Sequence, residues 1–287
     1  MKILHTFARL VLLTSMLLSL PAKAEVLVLV HGYLGSANSW METGILEILE
    51  QRGHRLSGIY SPAQSRVHFT QTSEPGENPV YTVNLPSMAP IGFQADWLQA
   101  FLRDIVLRHP DQPITLVGHS AGGLVARYLV VRDAPSAVTH LITIASPHLG
   151  TSRANQALDA ISNDGLFGPL RRWAVKRHTG APLYNTLKAS RGVLLDLTPP
   201  RPGNLLDWLN RQPHPDIRYT SVIRTGTFRM PGDRIVPPRS QDMRLVPALG
   251  ERAESYSMAQ GHLLTQQDGH LLANLLDLSR EPMQSPE

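Results

Sequence analysis

Two kinds of apolar pattern alternate along this chain. Short continuous runs rich in Val, Leu and Ile are typical of strands buried on both faces of a parallel sheet. Runs of this kind occupy residues 25–30, 114–117 and 138–145, and further strands are predicted at 54–60, 80–83, 218–228 and 252–258. Segments in which apolar residues recur every three or four positions are typical of helices that cover a sheet. These segments occupy residues 40–51, 93–108, 124–130 and 270–278. The alternation predicts an α/β fold, with a mostly parallel sheet flanked by helices and a ligand site at the carboxyl ends of the strands.

Two segments interrupt this alternation. Residues 61–90 are rich in Pro, Ser, Thr and Asn, and apart from the strand at 80–83 they are interpreted as a surface excursion near the mouth of the site. Residues 152–212 carry helical pieces at 154–161, 170–177 and 204–210, which Gly and Pro separate. Such an insertion between two strands predicts a helical cap over the site. The pattern leaves open whether the cap is a moving lid or a fixed packing layer.

The first 24 residues have the three parts of an export signal. Lys2 and Arg9 give a positive start, residues 10–20 form an apolar stretch, and residues 22–24 read as a small-x-small cleavage site. The apolar stretch is shorter than the roughly 20 residues that cross a bilayer. We therefore expect a mature chain that begins near Glu25 and is exported, either to the periplasm or out of the cell.

Charge and composition limit the partners of the mature chain. The signal segment holds three of the 27 Lys and Arg residues and no acidic residue, so 24 basic residues remain against 23 acidic ones. A chain this close to neutral does not predict a nucleic-acid partner. The sequence has no cysteine, which excludes disulfides, thiolate metal sites and a cysteine nucleophile. Residues 25–287 are expected to form one domain without a cofactor or a metal, and the sequence leaves the oligomeric state open.

Ser120 is the strongest candidate for a reactive group. It lies at the centre of Gly118-His119-Ser120-Ala121-Gly122, between the predicted strand 114–117 and the predicted helix 124–130. A strand, a Gly-x-Ser-x-Gly sequence and a helix in this order are the setting of a nucleophile elbow, in which a tight turn exposes the serine hydroxyl. Ser120 is therefore the predicted nucleophile.

A serine nucleophile needs a base that takes its proton and an acid that orients the base. In the fold that this strand order predicts, the acid follows the serine and the histidine comes last. Asp233 is the preferred acid because it lies in a turn just after the predicted strand 218–228. Asp242 and Asp196 obey the same order but are less well placed.

His262 is the preferred base. It follows the strand that ends at Met258 by a short turn, so it can hang from a loop at the end of the strand. His270 opens the last predicted helix and is interpreted as a surface residue. His119 belongs to the elbow itself and cannot also serve as the base for its neighbour.

The developing oxyanion needs two hydrogen-bond donors that are in place before the reaction. The backbone N–H of Ala121 is expected to be one of them. The second is expected from the loop after the first strand, residues 31–35, with Tyr33 as the preferred donor and Leu34 as the alternative. His31 is interpreted as a residue that holds this loop, because no further ligands stand at a spacing that suits a metal.

These residues resemble the α/β-hydrolase superfamily, and within it bacterial lipases and lipase-like esterases. The resemblance rests on residues 31–35, on the elbow with its extension to Arg127, and on the segments 143–151 and 196–199. It implies an α/β-hydrolase fold with a helical lid or cap, and hydrolysis of carboxylic esters of lipids through an acyl-enzyme. Lipases that hold a structural calcium place a carboxylate two residues after the base. This chain has Leu264 there, so no calcium site is expected.

The predicted function is that of an exported serine hydrolase, either a triacylglycerol lipase or an esterase. Its substrate is expected to be a lipid or another ester, with transient contact to a lipid interface. An acyltransferase with the same triad, in which an alcohol replaces water, is one alternative. A non-catalytic binding module on the hydrolase fold is another. The sequence leaves the acyl-chain length and the head group open.

Overall fold

The fold is described from a computed structural model, which covers residues 24–162, 181–226 and 232–280. Its strands form one eight-stranded sheet. They are β1 (Val26–Val30), β2 (His54–Ala63), β3 (Arg66–Gln71), β4 (Asn78–Val83), β5 (Ile114–His119), β6 (Val138–Ile144), β7 (Arg218–Thr225) and β8 (Ala253–Ala259). The spatial order is β3-β2-β4-β1-β5-β6-β7-β8, and every neighbouring pair is parallel except β2 and β3.

Helices connect most of the strands. They are α1 (Asn38–Met41), α2 (Ile45–Gln51), α3 (Ile91–Arg108), α4 (Ala121–Asp133), α5 (Ser152–Ile161), α6 (Ala181–Ala189), α7 (Arg191–Asp196), α8 (Leu205–Leu209), α9 (Pro238–Gln241) and α10 (Gln266–Arg280). Two short 3₁₀ helices, Met243–Leu245 and Gly250–Arg252, precede β8. Within the described ranges no helix is both long and apolar enough to cross a membrane.

The central strand β1 shows why helices must cover both faces of the sheet. Its five apolar residues are all fully buried. Successive side chains of a strand point to opposite faces, so Val26, Val28 and Val30 pack on one side, and Leu27 and Leu29 pack on the other. Apolar residues of α3 and α4 cover the first side, and those of α2 and α10 cover the second. The predicted α/β architecture with a mostly parallel sheet is confirmed.

The interpretation of residues 61–90 was wrong in part. β2 continues to Ala63 and turns back through Gln64 and Ser65, both at positive φ, into the antiparallel strand β3 at the edge of the sheet. The side chains of β3 are largely exposed, so this segment lacks the apolar run by which a buried strand is recognised. The later part of the segment does reach the carboxyl ends of the strands, because the Leu85 backbone N–H donates to His31 Nε2 at 2.9 Å.

Helices α5 to α8 lie between β6 and β7, where the sequence predicts an insertion. The pieces predicted at 154–161 and 204–210 correspond to α5 and α8, with ends shifted by one or two residues. The piece predicted at 170–177 and the signal segment up to residue 23 lie outside the described residues. The strand predicted at 218–228 ends at Thr225, and its last two residues also lie outside them.

Candidate active site

Four loops that the sequence singles out meet at one edge of the sheet. Ser120 follows β5, the loop 31–35 follows β1, Asp233 lies beyond β7, and His262 lies just beyond β8. Since these strands are parallel, their carboxyl ends lie at the same edge, where open α/β sheets bind ligands. The fold therefore brings together residues that are far apart in the sequence.

Ser120 occupies a sharp turn between β5 and α4. Its φ of 52° and ψ of −124° are uncommon for a residue with a side chain, and such a conformation costs on the order of 1–3 kcal/mol. The Ser120 backbone N–H donates to the Ile144 carbonyl at 2.8 Å, which ties the turn to β6. This is the strained elbow that exposes a serine hydroxyl at the first turn of a helix.

The glycines of the elbow permit a close approach of backbone to backbone. A Cβ atom on Gly122 would lie 2.3 Å from the His31 carbonyl oxygen, and one on Gly118 would lie 2.4 Å from the Cα atom of Gly123. The first turn of α4 therefore packs directly on the end of β1. This contact sets the distance between the nucleophile and the loop 31–35.

Gly122→Ala is expected to lower the free energy of unfolding by about 1–3 kcal/mol, because the added methyl group collides with backbone that cannot move aside easily. Chemical denaturation measures the change. Gly92 is the matched control, since both glycines are the second residue of a helix. The atoms nearest to a Cβ atom on Gly92 would belong to the Tyr128 side chain, the hydroxyl at 3.5 Å first, which is an ordinary contact. Equal effects of the two substitutions would contradict the close approach at Gly122.

Ser120, His262 and Asp233 form one hydrogen-bonded line. The Ser120 Oγ and His262 Nε2 atoms are 2.9 Å apart, and His262 Nδ1 lies 2.6 Å from Asp233 Oδ2. The side chain of Asp233 is completely buried and that of His262 is 11% exposed. With the ring proton on Nδ1, His262 donates to the carboxylate and leaves Nε2 free to accept the Ser120 proton.

The weaker candidates do not reach this line. Asp196 accepts a hydrogen bond from the Ile91 backbone N–H at 2.8 Å and so caps the start of α3. Asp242 pairs with Arg244 at 2.8 Å. His270 is exposed on α10, which begins at Gln266, so His270 does not open the last helix as predicted.

The carboxylate of Asp233 accepts four hydrogen bonds. Oδ1 accepts from the backbone N–H groups of Ile235 (2.7 Å) and Val236 (2.9 Å), and Oδ2 accepts from His262 and from Gln241 Nε2 (3.0 Å). Burial raises the pKa of Asp233, but the hydrogen bonds from His262 and from the two backbone N–H groups outweigh it and hold the pKa below its usual value. Asp233 is therefore ionised at neutral pH.

His119 holds the backbone of the candidate base. Its Nε2–H donates to the His262 carbonyl oxygen at 2.9 Å. Burial, followed by the nearby His262, lowers the pKa of His119 to about 3, so the ring is neutral near pH 7. His119 is excluded as a base from the sequence, but its contact with the His262 backbone is not predicted there, since no local pattern links residues 143 positions apart.

The loop 31–35 faces Ser120. His31 donates from Nδ1 to the Gly32 carbonyl at 2.9 Å and accepts the Leu85 N–H at Nε2, which is the loop-holding arrangement expected for it. The Gly35 N–H closes a turn onto the Gly32 carbonyl at 3.0 Å. Within the described part of the chain, the backbone N–H groups of Tyr33 and Leu34 donate to no protein acceptor. Both remain available to an oxyanion, as does that of Ala121, the first residue of α4.

The Tyr33 side chain links this loop to the insertion. Its hydroxyl donates to Ser190 Oγ at 2.9 Å, and the buried Ser190 hydroxyl donates in turn to the Thr186 carbonyl at 2.8 Å. Ser190 lies between α6 and α7. The candidate oxyanion loop and the insertion are therefore in direct contact.

A cavity of about 460 Å³ lies over Ser120. One part of its wall is mostly apolar, and another carries polar groups near α1. The apolar part includes Pro147, Leu197, Ile235, Val236, Leu263 and Leu264, and the polar part includes Ser39, Glu42 and Thr43. This volume and this mixed lining are typical of a small-molecule site. Among the described residues no three His, Cys, Asp or Glu side chains are grouped to hold a metal ion.

The family is established by sequence comparison. A family model described as the alpha/beta hydrolase fold matches residues 25–168, and the chain therefore belongs to the α/β-hydrolase fold family. The predicted fold and the resemblance to this superfamily are confirmed.

Similarity to individual relatives is more limited. Over 93 residues, or 30% of this chain, it is 33% identical to a triacylglycerol lipase from Pseudarthrobacter phenanthrenivorans and 33% identical to another from Burkholderia plantarii. The matched regions span only 27% and 24% of those two proteins.

Among solved structures, a gene product of Listeria innocua superposes with a TM-score of 0.59 at 16% identity, over 92% of this chain and 96% of that one. The mature lipase BlEst2 of Bacillus licheniformis superposes with a TM-score of 0.57 at 17% identity, over 91% and 94%. At these identities the superpositions establish the fold. At the level of the family, the chain is an α/β hydrolase that has lipases among its relatives.

Proposed function

We propose that this chain is a serine hydrolase that cleaves carboxylic esters through Ser120, His262 and Asp233. The observation that carries the proposal is the unbroken line of hydrogen bonds from Ser120 Oγ through His262 to the buried carboxylate of Asp233. A hydroxyl, an imidazole and a carboxylate in this arrangement activate a serine for attack on an acyl carbon.

In the first half of the reaction, Ser120 Oγ attacks the ester carbonyl carbon and its proton moves to His262 Nε2. The carbonyl oxygen becomes an oxyanion, which the backbone N–H groups of Ala121 and Tyr33 stabilise. The bond from carbon to the alcohol oxygen then breaks, and the proton on Nε2 passes to the departing alcohol. Asp233 keeps the ring oriented and stabilises the imidazolium that forms.

In the second half, water attacks the acyl-enzyme and gives a proton to His262 Nε2. The bond between Ser120 Oγ and the acyl carbon breaks, the serine oxygen recovers the proton, and the acid leaves. The backbone N–H groups of Ala121 and Tyr33 serve both halves, because the same oxygen becomes negative each time. Every proton that moves passes through one nitrogen atom.

The substrate that suits the cavity is an ester with an apolar acyl chain, which supports a lipase or an esterase. Leu34, Ile235 and Leu263 line the cavity and are also exposed at 53%, 46% and 73%. Exposed apolar side chains around a site favour contact with a lipid surface, and transient contact of this kind is part of the proposal. Export of the chain is also part of the proposal, and it rests on the sequence of residues 1–24.

Covalent labelling with a fluorophosphonate tests the proposed nucleophile. The reagent is expected to label the unmodified chain and Ser152→Ala, and to leave Ser120→Ala unlabelled. Ser152 is a suitable control because it is an exposed serine at the start of α5. A chain that takes no label and hydrolyses no p-nitrophenyl ester would refute the proposal.

The acyl preference tests the apolar part of the cavity. For p-nitrophenyl esters, kcat/KM is expected to rise from acetate to hexanoate, because each buried methylene contributes about 0.8 kcal/mol. A further rise for chains longer than hexanoate would indicate a lipase, and a maximum near hexanoate an esterase. A decline from acetate onward would contradict an apolar acyl site.

A further inference from the structure

We propose that Gln241 is a positioning residue for the catalytic acid, and that its side-chain amide holds the Asp233 carboxylate in the orientation that His262 needs. The inference rests on the proposed function, since it assigns a role within the same site. Gln241 is the last residue of the short helix α9 and is 1% exposed. Among the hydrogen bonds of the described residues, none joins Gln241 to Ser120 or His262, and its link to the proposed catalytic residues is the bond to Asp233.

The side-chain amide of Gln241 makes three hydrogen bonds. Its Nε2 donates to Asp233 Oδ2 at 3.0 Å and to the Val236 carbonyl at 2.7 Å. Its Oε1 accepts from the Arg224 backbone N–H at 2.7 Å. The side chain therefore joins the acid loop to the strand β7, which is part of the rigid sheet.

These partners determine which end of the amide faces the acid. If the amide were reversed, Oε1 would face two acceptor oxygens and Nε2 would face an N–H group. Three hydrogen bonds would be lost in a buried place, which is strongly unfavourable. Gln241 can therefore act only as a donor toward Asp233.

Gln241 donates to the same carboxylate oxygen that binds the ring of His262. Oδ2 of Asp233 is the atom that accepts from His262 Nδ1, whereas the two backbone N–H groups bind Oδ1. The Asp233 side chain has no exposed surface, so water cannot replace a lost donor at Oδ2. Without Gln241, the two backbone N–H groups would still hold Oδ1, but Oδ2 would keep only its hydrogen bond with His262, so the carboxylate plane would be fixed less firmly against the ring.

The charged groups around the acid do not substitute for this donor. The guanidinium of Arg224 pairs with Asp268 on α10 at 2.6 Å, and both side chains are fully buried. His119 is neutral near pH 7 and donates to the His262 backbone. The only charged group that pairs with the Asp233 carboxylate among the described residues is His262 when it is protonated. Its other partners, Gln241 and two backbone N–H groups, are neutral hydrogen-bond donors.

Two substitutions test the role, with kcat and KM measured on one p-nitrophenyl ester from pH 5 to pH 10. Gln241→Met removes the donor at similar side-chain length and is expected to lower kcat about 10- to 100-fold, with KM changed less than twofold. Gln241→Glu is expected to be active only while the introduced carboxyl is protonated and can still donate. Burial and the charge of Asp233 both raise the pKa of that carboxyl. The kcat of this variant should therefore fall as the pH rises, where that of the unmodified protein does not.

Gln94→Met is the matched control. Gln94 is a buried glutamine on α3 whose amide donates to the Ala89 carbonyl at 2.7 Å, outside the catalytic residues. It is expected to keep the unmodified kcat and pH profile. A Gln241→Met variant that folds and retains kcat within twofold would overturn the inference. If Gln241→Met does not fold, a Gln241→Glu profile of unchanged shape would overturn it.

Failure of this inference is distinguishable from failure of the proposed function. Ser120→Ala is measured in the same series and is expected to be inactive. If Ser120→Ala is inactive and Gln241→Met is fully active, the function stands and the role of Gln241 is refuted. If Ser120→Ala retains the full rate, the proposed function is itself refuted, and the role of Gln241 with it.

Discussion

His262→Ala is expected to lower the kcat for ester hydrolysis by about four to six powers of ten. Loss of the proposed general base leaves Ser120 without an acceptor for its proton, and in serine hydrolases this costs about as much as loss of the whole triad. The residual rate would come from binding and from the backbone donors of the oxyanion hole. The comparison is made on one p-nitrophenyl ester, with enzyme concentration normalised to folded protein.

His270→Ala is the control for this prediction. His270 is exposed on α10 and has no contact with Ser120 or Asp233 among the hydrogen bonds of the described residues. Its substitution should leave kcat within about twofold of the unmodified value. A large loss in His270→Ala together with a small loss in His262→Ala would transfer the role of base to His270.

Asp268→Ala is expected to lower the free energy of unfolding by about 3–5 kcal/mol, the usual cost of breaking a buried ion pair by removing one partner. Asp268 accepts from Arg224 at 2.6 Å, and neither side chain is exposed. Once the carboxylate is removed, the guanidinium of Arg224 is left charged and buried. The substitution also removes the bond from the Thr265 backbone N–H at 2.8 Å, which caps the start of α10. Chemical denaturation measures the loss.

Asp277→Ala on the same helix gives the matched comparison. Asp277 pairs with Arg52 at 2.7 Å, but the two side chains are 45% and 47% exposed. Water and salt screen an exposed pair, which contributes at most about 1 kcal/mol. The two substitutions should therefore differ severalfold in their effect on stability. Equal and small losses would show that Arg224 finds another partner or reaches water.

Where a strand is buried on both faces, the sequence predicted it closely. β1 and β6 stand out because a strand buried on both faces has no polar position, and their observed ends lie within a residue of the predicted ones. The edge strand β3 does not stand out, because its side chains are largely exposed. Apolar patterning reports burial, so it fails for an edge strand such as β3, where Phe69 is the one residue that is not exposed.

In the candidate site, too, some residues could be predicted from the sequence and others could not. Ser120, Asp233 and His262 could be chosen as candidates from sequence because the elbow sequence marks a candidate nucleophile and the order of the strands places a candidate acid and base at strand ends. Gln241 could not be chosen. It lies eight residues after Asp233, and only the turn of the chain through residues 234–237 brings its amide back to that carboxylate.

By itself, the sequence determined the order of the strands other than β3, the elbow at Ser120 and the loops that carry its candidate partners, since each of these depends on local pattern and chain order. The tertiary structure alone decided that Ser120, His262 and Asp233 lie within hydrogen-bond distance of one another, that Asp196 instead caps α3, and that Gln241 and His119 support the line. The physical reason is that these contacts join segments whose meeting depends on the packing of the whole sheet. A hydrogen bond forms or fails over a few tenths of an ångström, a precision that no local pattern carries.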